Sequence, residues 1–444
     1  MNKYLKFMII FAVLTIMGGG IWFFLTLYES EKPEVAVGES FNLIGQKKTV
    51  DITCTDKKSG LRHITVSITQ DGKQRILDTV DFTQKGIAEH TLTVEIDSKE
   101  FNLHDGAAIF EVSAVDHSLR KNIKSISVDV NIDMTPPQIY PISSSHNINP
   151  GGSCITIYRV SEEVSESYVY VDNDHFPAYP ITFSGKPCYI CYLAIPMDAK
   201  KKDTKIGIIA EDKAGNISTG TVPFYIRNKI FRADNMNISQ SFLERKIPEF
   251  QQIDDNLKGS TLLESFIYIN EKLRAANLET IQSICRKTEG KQLWQGTFLR
   301  MKNAATMAKF GDRRTYYYKG KKISKSIHLG VDLASTKNAL IEASNSGIVA
   351  FCGYLGIYGN NIIIDHGLGL FSFYAHLGMI NVKKGQNIEK GQPIGRSDTS
   401  GLAGGDHLHF GILVGKRFVD PQEWWDPHWI RDNVERKLDK AAQE

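Results

Sequence analysis

The chain has 444 residues, enough for about three domains of ordinary size. Its fractions of charged (23%) and hydrophobic (42%) residues are ordinary for a globular protein. A net charge of only +3 gives no case for nucleic-acid binding, and six cysteines in this length do not make a disulfide scaffold.

The N-terminus carries an apolar run that decides the predicted compartment. Lys3 and Lys6 precede the uncharged residues 7–27, a run that can cross a bilayer, which needs roughly 20 helical residues. Because the short segment before the apolar run is positively charged, residues 1–6 are predicted to be a cytoplasmic tail. The run lacks a small-residue cleavage site, so we interpret it as an uncleaved transmembrane signal anchor rather than a cleaved signal peptide. The chain is therefore predicted to be a single-pass protein of the cell inner (cytoplasmic) membrane, with everything after residue 27 in the periplasm.

Residues 33–228 change to short alternating strands. The turn Gln70-Asp-Gly-Lys73 separates two such runs, as in a hairpin. A weak internal repeat, divided by the stiff linker Asp133-Met-Thr-Pro-Pro137, predicts two modules, residues 33–135 and 136–228. Both resemble immunoglobulin-like (Ig-like) β-sandwich modules of bacterial extracytoplasmic proteins, and we expect them to act as a spacer.

Cys188 and Cys191 form a Cys-x-x-Cys motif in the second module. No thioredoxin-like pattern surrounds it, and no second pair completes a zinc knuckle. A disulfide from one of these cysteines to Cys154 is left open.

Residues 229–292 predict a helical connector of two or three helices, because apolar residues recur at three- and four-residue spacing. The simpler role of this connector is to pack against the next domain. The alternative role is to cover a catalytic groove. The residues that carry this spacing are Leu263, Phe266, Ile267, Ile269, Leu273 and Leu278.

Residues 293–430 predict a compact antiparallel β domain. Glycines recur between Gly347 and Gly415 and set off short β-runs such as Asn361-Ile-Ile-Ile-Asp365. The remaining residues, 431–444, predict a charged tail that forms a solvated helix.

Three groups in this β domain carry metal-binding side chains: His328-Leu-Gly-Val-Asp332, Tyr374-Ala-His376 and His407-Leu-His409. Residues two or four apart on a strand share one face, so each group can point its polar side chains the same way. Two imidazoles and one carboxylate from separate strands predict a three-ligand zinc site with an open fourth position, as in catalytic zinc sites.

Two other folds that use parts of this pattern fit less well. A cupin needs a Glu shortly after its His-x-His, where Leu413 and Val414 stand. Residues 382–395 resemble half of a biotinyl or lipoyl carrier, but the lysine that such a carrier modifies is not at a matching turn.

The segment from about Phe310 to Asp426 resembles the M23 family of zinc metallopeptidases, the lysostaphin and LytM type of cell-wall endopeptidase. The resemblance implies one Zn²⁺ per chain, held by His328, Asp332 and His409, with His376 and His407 as the catalytic pair. The stretches that carry it are His328–Asp332, Tyr358–His376, Lys383–Gly395 and Thr399–Ile412.

The sequence thus predicts a multidomain, mainly β protein, with an N-terminal transmembrane helix, two Ig-like modules, a helical connector and a C-terminal antiparallel β peptidase domain. The resemblance implies hydrolysis of peptide cross-links in peptidoglycan, with water as the nucleophile. A non-enzymatic wall-binding protein or activator of another hydrolase, and a peptidase that acts on proteins, are the alternatives.

A narrow substrate groove is also expected. The glycine-rich loop Gly401–Gly405 would form one wall, and Tyr354, Tyr358 and Asn360 are candidates for another.

Overall fold

The computed structural model describes residues 3–27, 30–38, 41–143, 146–200 and 202–443. Strands account for 45% of the chain and helices for 20%, so the prediction of a mainly β protein is confirmed. The chain divides into two compact units: residues 1–137, 162–165 and 211–218 make the first, and the remainder makes the second. Two residues of the predicted cytoplasmic tail, Met1 and Asn2, and the last residue of the predicted charged tail, Glu444, lie outside the described residues.

Helix α1 (Lys3–Leu27) is apolar along its length. Its segment Lys6–Phe24 has a mean hydropathy of 2.2 and is not buried against the described protein. A helix of 25 residues exceeds the roughly 30 Å thickness of a hydrocarbon core. Its length and composition also suit a signal sequence, so the anchor stays a prediction.

The first unit contains two sheets around one core. Sheet β1-β3-β6 has three strands, and sheet β2-β8-β7-β4-β5 has five. On β7 every second residue from Ala108 to Ala114 is buried, as expected for a strand with one face on a core. The Ig-like assignment stays a prediction. The strands are β1 (Glu34–Val37), β2 (Leu43–Ile44), β3 (Lys47–Thr55), β4 (Leu61–Gln70), β5 (Lys73–Asp81), β6 (Glu89–Asp97), β7 (Gly106–Asp116) and β8 (Ile123–Ile132).

The next ten strands form sheets β14-β15-β11-β9 and β13-β12-β16-β17 and the parallel pair β10-β18. Strand β11 is buried at six successive residues, so both of its faces are covered. The strands are β9 (Ile139–Pro141), β10 (His146–Ile148), β11 (Ser153–Val160), β12 (Val164–Val171), β13 (Asp174–Pro177), β14 (Tyr179–Phe183), β15 (Lys186–Ala194), β16 (Ile206–Asp212), β17 (Ile217–Thr221) and β18 (Phe224–Ile226).

The predicted helical connector contains one strand and three α-helices. Strand β19 (Ala233–Asn237) pairs in parallel with a strand of the C-terminal region. Ser239 caps α2 by accepting a hydrogen bond from the backbone N–H of Phe242, and Thr261 and Glu264 form a capping box at α3. The helices are α2 (Gln240–Ile253), α3 (Leu262–Tyr268) and α4 (Arg274–Ile284), with a 3₁₀ turn at Asp255–Leu257 and a π-helical turn at Ile269–Leu273.

The C-terminal region is built on a ten-stranded sheet whose central path is β20-β23-β30-β27-β26-β25-β28. Strands β21 and β22 form a separate sheet with β19, in which β21 lies between β19 and β22. The strands are β20 (Ala305–Ala308), β21 (Arg313–Tyr318), β22 (Lys321–Ile327), β23 (Val331–Ala334), β24 (Leu340–Glu342), β25 (Gly347–Tyr354), β26 (Asn360–Asp365), β27 (Leu370–Ile380), β28 (Asn387–Ile388), β29 (Pro393–Ser397), β30 (Leu408–Val414) and β31 (Arg417–Val419); a 3₁₀ turn at Gly356–Tyr358 precedes β26.

Three short helices form the C-terminal end of the described chain, and they correct the prediction of a solvated helix at residues 431–444. They are α5 (Pro421–Trp425), α6 (Pro427–Ile430) and α7 (Arg436–Gln443), with a π-helical turn at Arg431–Glu435. The predicted solvated helix is only partly solvated, because Val434, Lys437 and Ala441 are buried. The Lys437 ammonium contacts His146, a residue too distant in sequence for the local charge pattern to reveal.

The second predicted module, residues 136–228, is not separate: its residues 138–161, 166–210 and 219–228 belong to one compact unit with the C-terminal region and share its hydrophobic core. Trp424 lies at its centre, fully buried, with its ring 6.1 Å from Tyr192 and 5.5 Å from Trp294. The Glu423 carboxylate accepts a 2.8 Å hydrogen bond from the backbone N–H of Ser153. These contacts make the second β region part of the body that carries the candidate site.

Candidate functional site

Three side chains, two from neighbouring strands and one from the segment just before the first of them, converge to a buried triangle. His328 lies just before β23, Asp332 lies on β23, and His409 lies on β30 directly opposite Asp332 in the antiparallel register. His328 Nε2 is 2.9 Å from Asp332 Oδ1 and 3.0 Å from His409 Nδ1, and His409 Nδ1 is 2.9 Å from Asp332 Oδ1. We call His328, Asp332 and His409 the metal triangle.

Contacts on the side away from the triangle orient its two imidazole rings. His328 Nδ1 lies 2.9 Å from the Lys309 backbone oxygen, which can only accept, so Nδ1 carries the proton and Nε2 presents its lone pair to the triangle. His409 faces the other way: its Nδ1 is in the triangle and its buried Nε2 has no hydrogen-bond partner among the described residues. A Cβ at Gly330 would lie 2.6 Å from that Nε2, so glycine is required behind the ring.

The triangle fits a divalent metal ion. Two imidazole nitrogens and one carboxylate oxygen lie within 4.8 Å of one another, and all three residues are buried. Burial favours the neutral acid, but the imidazoles of His328, His407 and His409 around it hold the pKa of the Asp332 carboxyl well below its usual range. Three such donors with an ionised carboxylate are the set that a catalytic zinc takes, and they leave one coordination position open.

His376 and His407 stand beside the triangle, with their ring centroids 4.8 Å apart, and we call them the flanking pair. His376 Nδ1 donates to the Ser400 carbonyl at 2.8 Å, and His407 Nδ1 donates to the Gly405 carbonyl at 2.7 Å. Both bonds leave Nε2 as the ring nitrogen available for chemistry, and His407 Nε2 is 3.6 Å from Asp332 Oδ1.

The backbone of His376 is in the left-handed region, with φ of 63°. The β26–β27 ladder shifts register at this point, and the bulge turns the His376 side chain towards the groove. Strained backbone at a polar groove residue is typical of functional sites.

The two rings of the flanking pair have opposite electrostatic environments. Burial, with the neighbouring His407 and His409, holds the pKa of His376 well below its usual range. Burial also lowers the pKa of His407, but the Asp332 carboxylate outweighs it, so the net shift of the His407 pKa is upward.

Arg314, on β21, is a site residue that the sequence patterns did not single out. Its Nη2 lies 3.1 Å from Asp332 Oδ2, the oxygen that points away from the triangle. It therefore holds the carboxylate so that Oδ1 faces the two imidazoles. Strand alternation places Arg314 and Tyr316 on one face, but no motif marks Arg314 as a neighbour of Asp332.

A cavity of about 480 Å³ opens over the triangle and the flanking pair. The expected glycine-rich wall contributes Leu402, Ala403 and Gly404 to its lining. Tyr358 lines the cavity, with its ring 5.7 Å from His409, whereas Tyr354 and Asn360 are not among its lining residues. The first turns of α2 form the opposite wall, from Ser239 to Arg245.

The cysteines form no second site. All six are free thiols, and all except Cys352 are buried. Burial raises the pKa of Cys154 to about 12 and that of Cys191 well above its usual value, so these thiols stay protonated.

Residues 326–421 match Peptidase family M23, and the chain therefore contains an M23 peptidase domain. The chain is 34% identical over 95 residues to the DD-carboxypeptidase/endopeptidase Mpg of Neisseria meningitidis, covering 21% of this chain and 22% of that protein. It is 37% identical over 93 residues to the peptidoglycan DD-endopeptidase ShyA of Vibrio cholerae, covering 21% of this chain and 22% of ShyA. The match thus spans about a fifth of the length of these relatives.

A longer alignment with lower identity relates the chain to a protein that is named as an activator rather than as a peptidase. The chain is 24% identical over 199 residues to the murein hydrolase activator EnvC of Escherichia coli, covering 45% of this chain and 43% of EnvC.

Proposed function

We propose that this M23 domain makes the chain a zinc-dependent endopeptidase that hydrolyses peptide cross-links of bacterial peptidoglycan. The observation that carries the proposal is the convergence of the metal triangle and the flanking pair in one cavity. Similarity to a peptidoglycan DD-endopeptidase supports the substrate class.

His328, Asp332 and His409 would hold the zinc ion. Bound there, zinc would supply Lewis-acid polarisation of the scissile carbonyl and lower the pKa of a water molecule. Arg314 occupies the outer oxygen of Asp332 and so keeps that carboxylate a one-oxygen donor. The Lys309 carbonyl keeps the proton of His328 on Nδ1, away from the metal position.

His376 and His407 would handle the proton and the developing negative charge. Each presents Nε2 beside the triangle because its Nδ1 is committed to a loop carbonyl. One imidazole can accept the proton of the attacking water at Nε2 and pass it to the leaving amine. The other, when it is protonated on both nitrogens, can donate from Nε2 to the carbonyl oxygen as charge develops on it. Neither residue is needed as a ligand when three are already present.

Activation of another wall hydrolase is the second candidate, and the similarity to EnvC favours it. The complete donor set of the metal triangle speaks against it, because an activator has no need of a metal site or of a flanking pair.

We also propose that α1 anchors the chain in the inner membrane with the catalytic region in the periplasm. The apolar segment Lys6–Phe24 and its exposed apolar side chains support this. A mature N-terminus near Glu29 would show a cleaved signal instead.

Digestion of purified peptidoglycan by the detergent-solubilised, zinc-loaded full chain tests the proposal. Mass spectrometry of the products should show new free amino and carboxyl ends within the peptide cross-links, and a chelator should prevent them. Cuts confined to the sugar backbone would contradict the proposal. Casein serves as a parallel substrate, and its cleavage would identify a general protein peptidase. If the chain cleaves no peptidoglycan itself but stimulates a second wall hydrolase, it is an activator.

A further inference from the structure

Three arginines line the cavity beside the metal triangle. Arg245 comes from α2, Arg274 from α4 and Arg314 from β21. Among the described lining residues, Asp332 is the only carboxylate, and Arg314 already lies against it. The other two guanidinium groups form no ion pair within the described parts of the chain, so the groove carries uncompensated positive charge.

The two unpaired arginines are held in place by neutral groups. Arg245 Nη2 donates to the Gly404 carbonyl at 3.2 Å, and Arg274 Nη2 donates to Asn270 Oδ1 at 2.8 Å. A guanidinium has five N–H donors, so each side chain retains donors that can turn towards the cavity. Positioned guanidinium groups with free donors are the usual partners of carboxylates, which they can bind through two parallel hydrogen bonds.

The walls around these arginines suit an extended peptide. Asn237, Ser239 and Ser241 add polar groups to the lining, while Leu402 and Ala403 leave the opposite wall small and apolar. A peptide that crosses the triangle between these walls would pass Arg245 and Arg274.

We propose that Arg245 and Arg274 form a carboxylate-binding subsite that selects peptides with free carboxylate groups near the scissile bond. The inference rests on the proposed function and deepens it: stem peptides with free acid groups are favoured over amidated stems and over bridges of neutral residues. The two arginines are specificity residues and take no part in the bond-breaking step.

A pair of synthetic cross-linked peptides tests the inference on the zinc-loaded full chain. The two peptides are identical except that free carboxylates in one are carboxamides in the other. The unchanged protein should cleave the carboxylate peptide with a kcat/KM higher by about tenfold or more, the effect of one hydrogen-bonded charge pair. The preference should shrink as ionic strength rises.

The variants Arg245→Gln and Arg274→Gln separate specificity from structure. Each should raise KM for the carboxylate peptide by about tenfold and KM for the carboxamide peptide far less, because the lost charged contact binds ground and transition states alike. Arg274→Lys keeps the charge and should retain part of the preference. Arg396→Gln is the matched control, since Arg396 also donates to a backbone carbonyl, that of Asn338, but lies outside the cavity lining.

Equal loss for both peptides would assign these arginines a merely structural role and overturn the inference, as would equal cleavage of both peptides by the unchanged protein. If neither peptide is cleaved, the endopeptidase proposal fails, and calorimetric binding to the chelator-treated full chain decides the inference alone. Tighter binding of the carboxylate peptide than of the carboxamide peptide would support it, and equal binding would overturn it.

Discussion

The metal triangle and the flanking pair share one cavity but are held by different parts of the fold. Asp332 and His409 face each other across the β23–β30 register, within the central sheet. The rings of His376 and His407 are oriented by the carbonyls of Ser400 and Gly405, which lie just before the glycine-rich loop and at its last residue. The difference suggests that the sheet determines metal binding and the loop determines the chemistry around it, so the two can be separated by mutation.

The largest effect is expected from the triangle itself. His409→Ala removes one of three donors and leaves His328 and Asp332 as an incomplete set, so zinc content and hydrolysis should both be lost. Metal analysis after dialysis measures the zinc content, and digestion of peptidoglycan measures the hydrolysis. His428→Ala is the control, because His428 is exposed and is not among the residues that line the cavity. One zinc per chain in the His409→Ala protein would refute the ligand assignment.

Substitutions in the flanking pair should lower the rate of hydrolysis without lowering the zinc content. His376→Ala and His407→Ala each remove a group that moves or holds a proton, which typically costs about a hundred- to ten-thousand-fold in rate. Zinc content should stay near the level of the unchanged protein. Unchanged rates in both variants, or a loss of zinc equal to that of His409→Ala, would show that the two parts of the site are not separate.

A smaller effect is expected from Gly330→Ala, which strains the triangle without removing a ligand. The added Cβ would lie 2.6 Å from His409 Nε2 and 2.6 Å from the Phe410 carbonyl oxygen, so the ring must shift. Zinc affinity, measured by competition with a chromogenic chelator, should fall about 10- to 100-fold, as for other changes behind a metal ligand.

Gly404→Ala is the matched control for that measurement. A Cβ at Gly404 has no atom within 4 Å, and Gly404 lies in the glycine-rich loop rather than the sheet. Zinc affinity should stay unchanged in this variant. A loss equal to that of Gly330→Ala would contradict the division between sheet and loop.

The smallest effect concerns another buried carboxyl group, that of Glu423, whose pKa is governed by its burial rather than by neighbouring imidazoles. Burial raises its pKa to about 7 from the ordinary 4.5, opposite in direction to Asp332. The folded state therefore keeps a proton that the unfolded state releases, and stability falls as pH rises from about 4.5 to 7. This shift is worth about 3 kcal/mol.

Urea unfolding of Glu423→Gln across that pH range checks the sign. The unchanged protein should lose about 3 kcal/mol more than the variant between pH 4.5 and 7. Glu435→Gln, at an exposed position, should keep the slope of the unchanged protein. Parallel slopes for all three proteins would contradict the role of Glu423.

The sequence was informative where metal-binding side chains recur at even spacing. The pairs His328-x-x-x-Asp332 and His407-x-His409 are brought together as predicted, although His328 and His407 lie just outside strands β23 and β30. Arg314 was missed because it reaches Asp332 from a strand with no motif. The packing of residues 138–228 on the C-terminal region was missed because an internal repeat describes a local pattern and says nothing of what covers its faces. Trp424 and Lys437 find partners more than two hundred residues away.

The shared core around Trp424 has a consequence for limited proteolysis of the chain. Ile230 follows the second β region and is 97% exposed, so the chain there is open to a protease. A cut at this position would not release the M23 domain from the second β region, because Tyr192 and Ser153 on one fragment stay packed against Trp424 and Glu423 on the other. The nicked protein would migrate as two pieces on a denaturing gel and as one particle in solution.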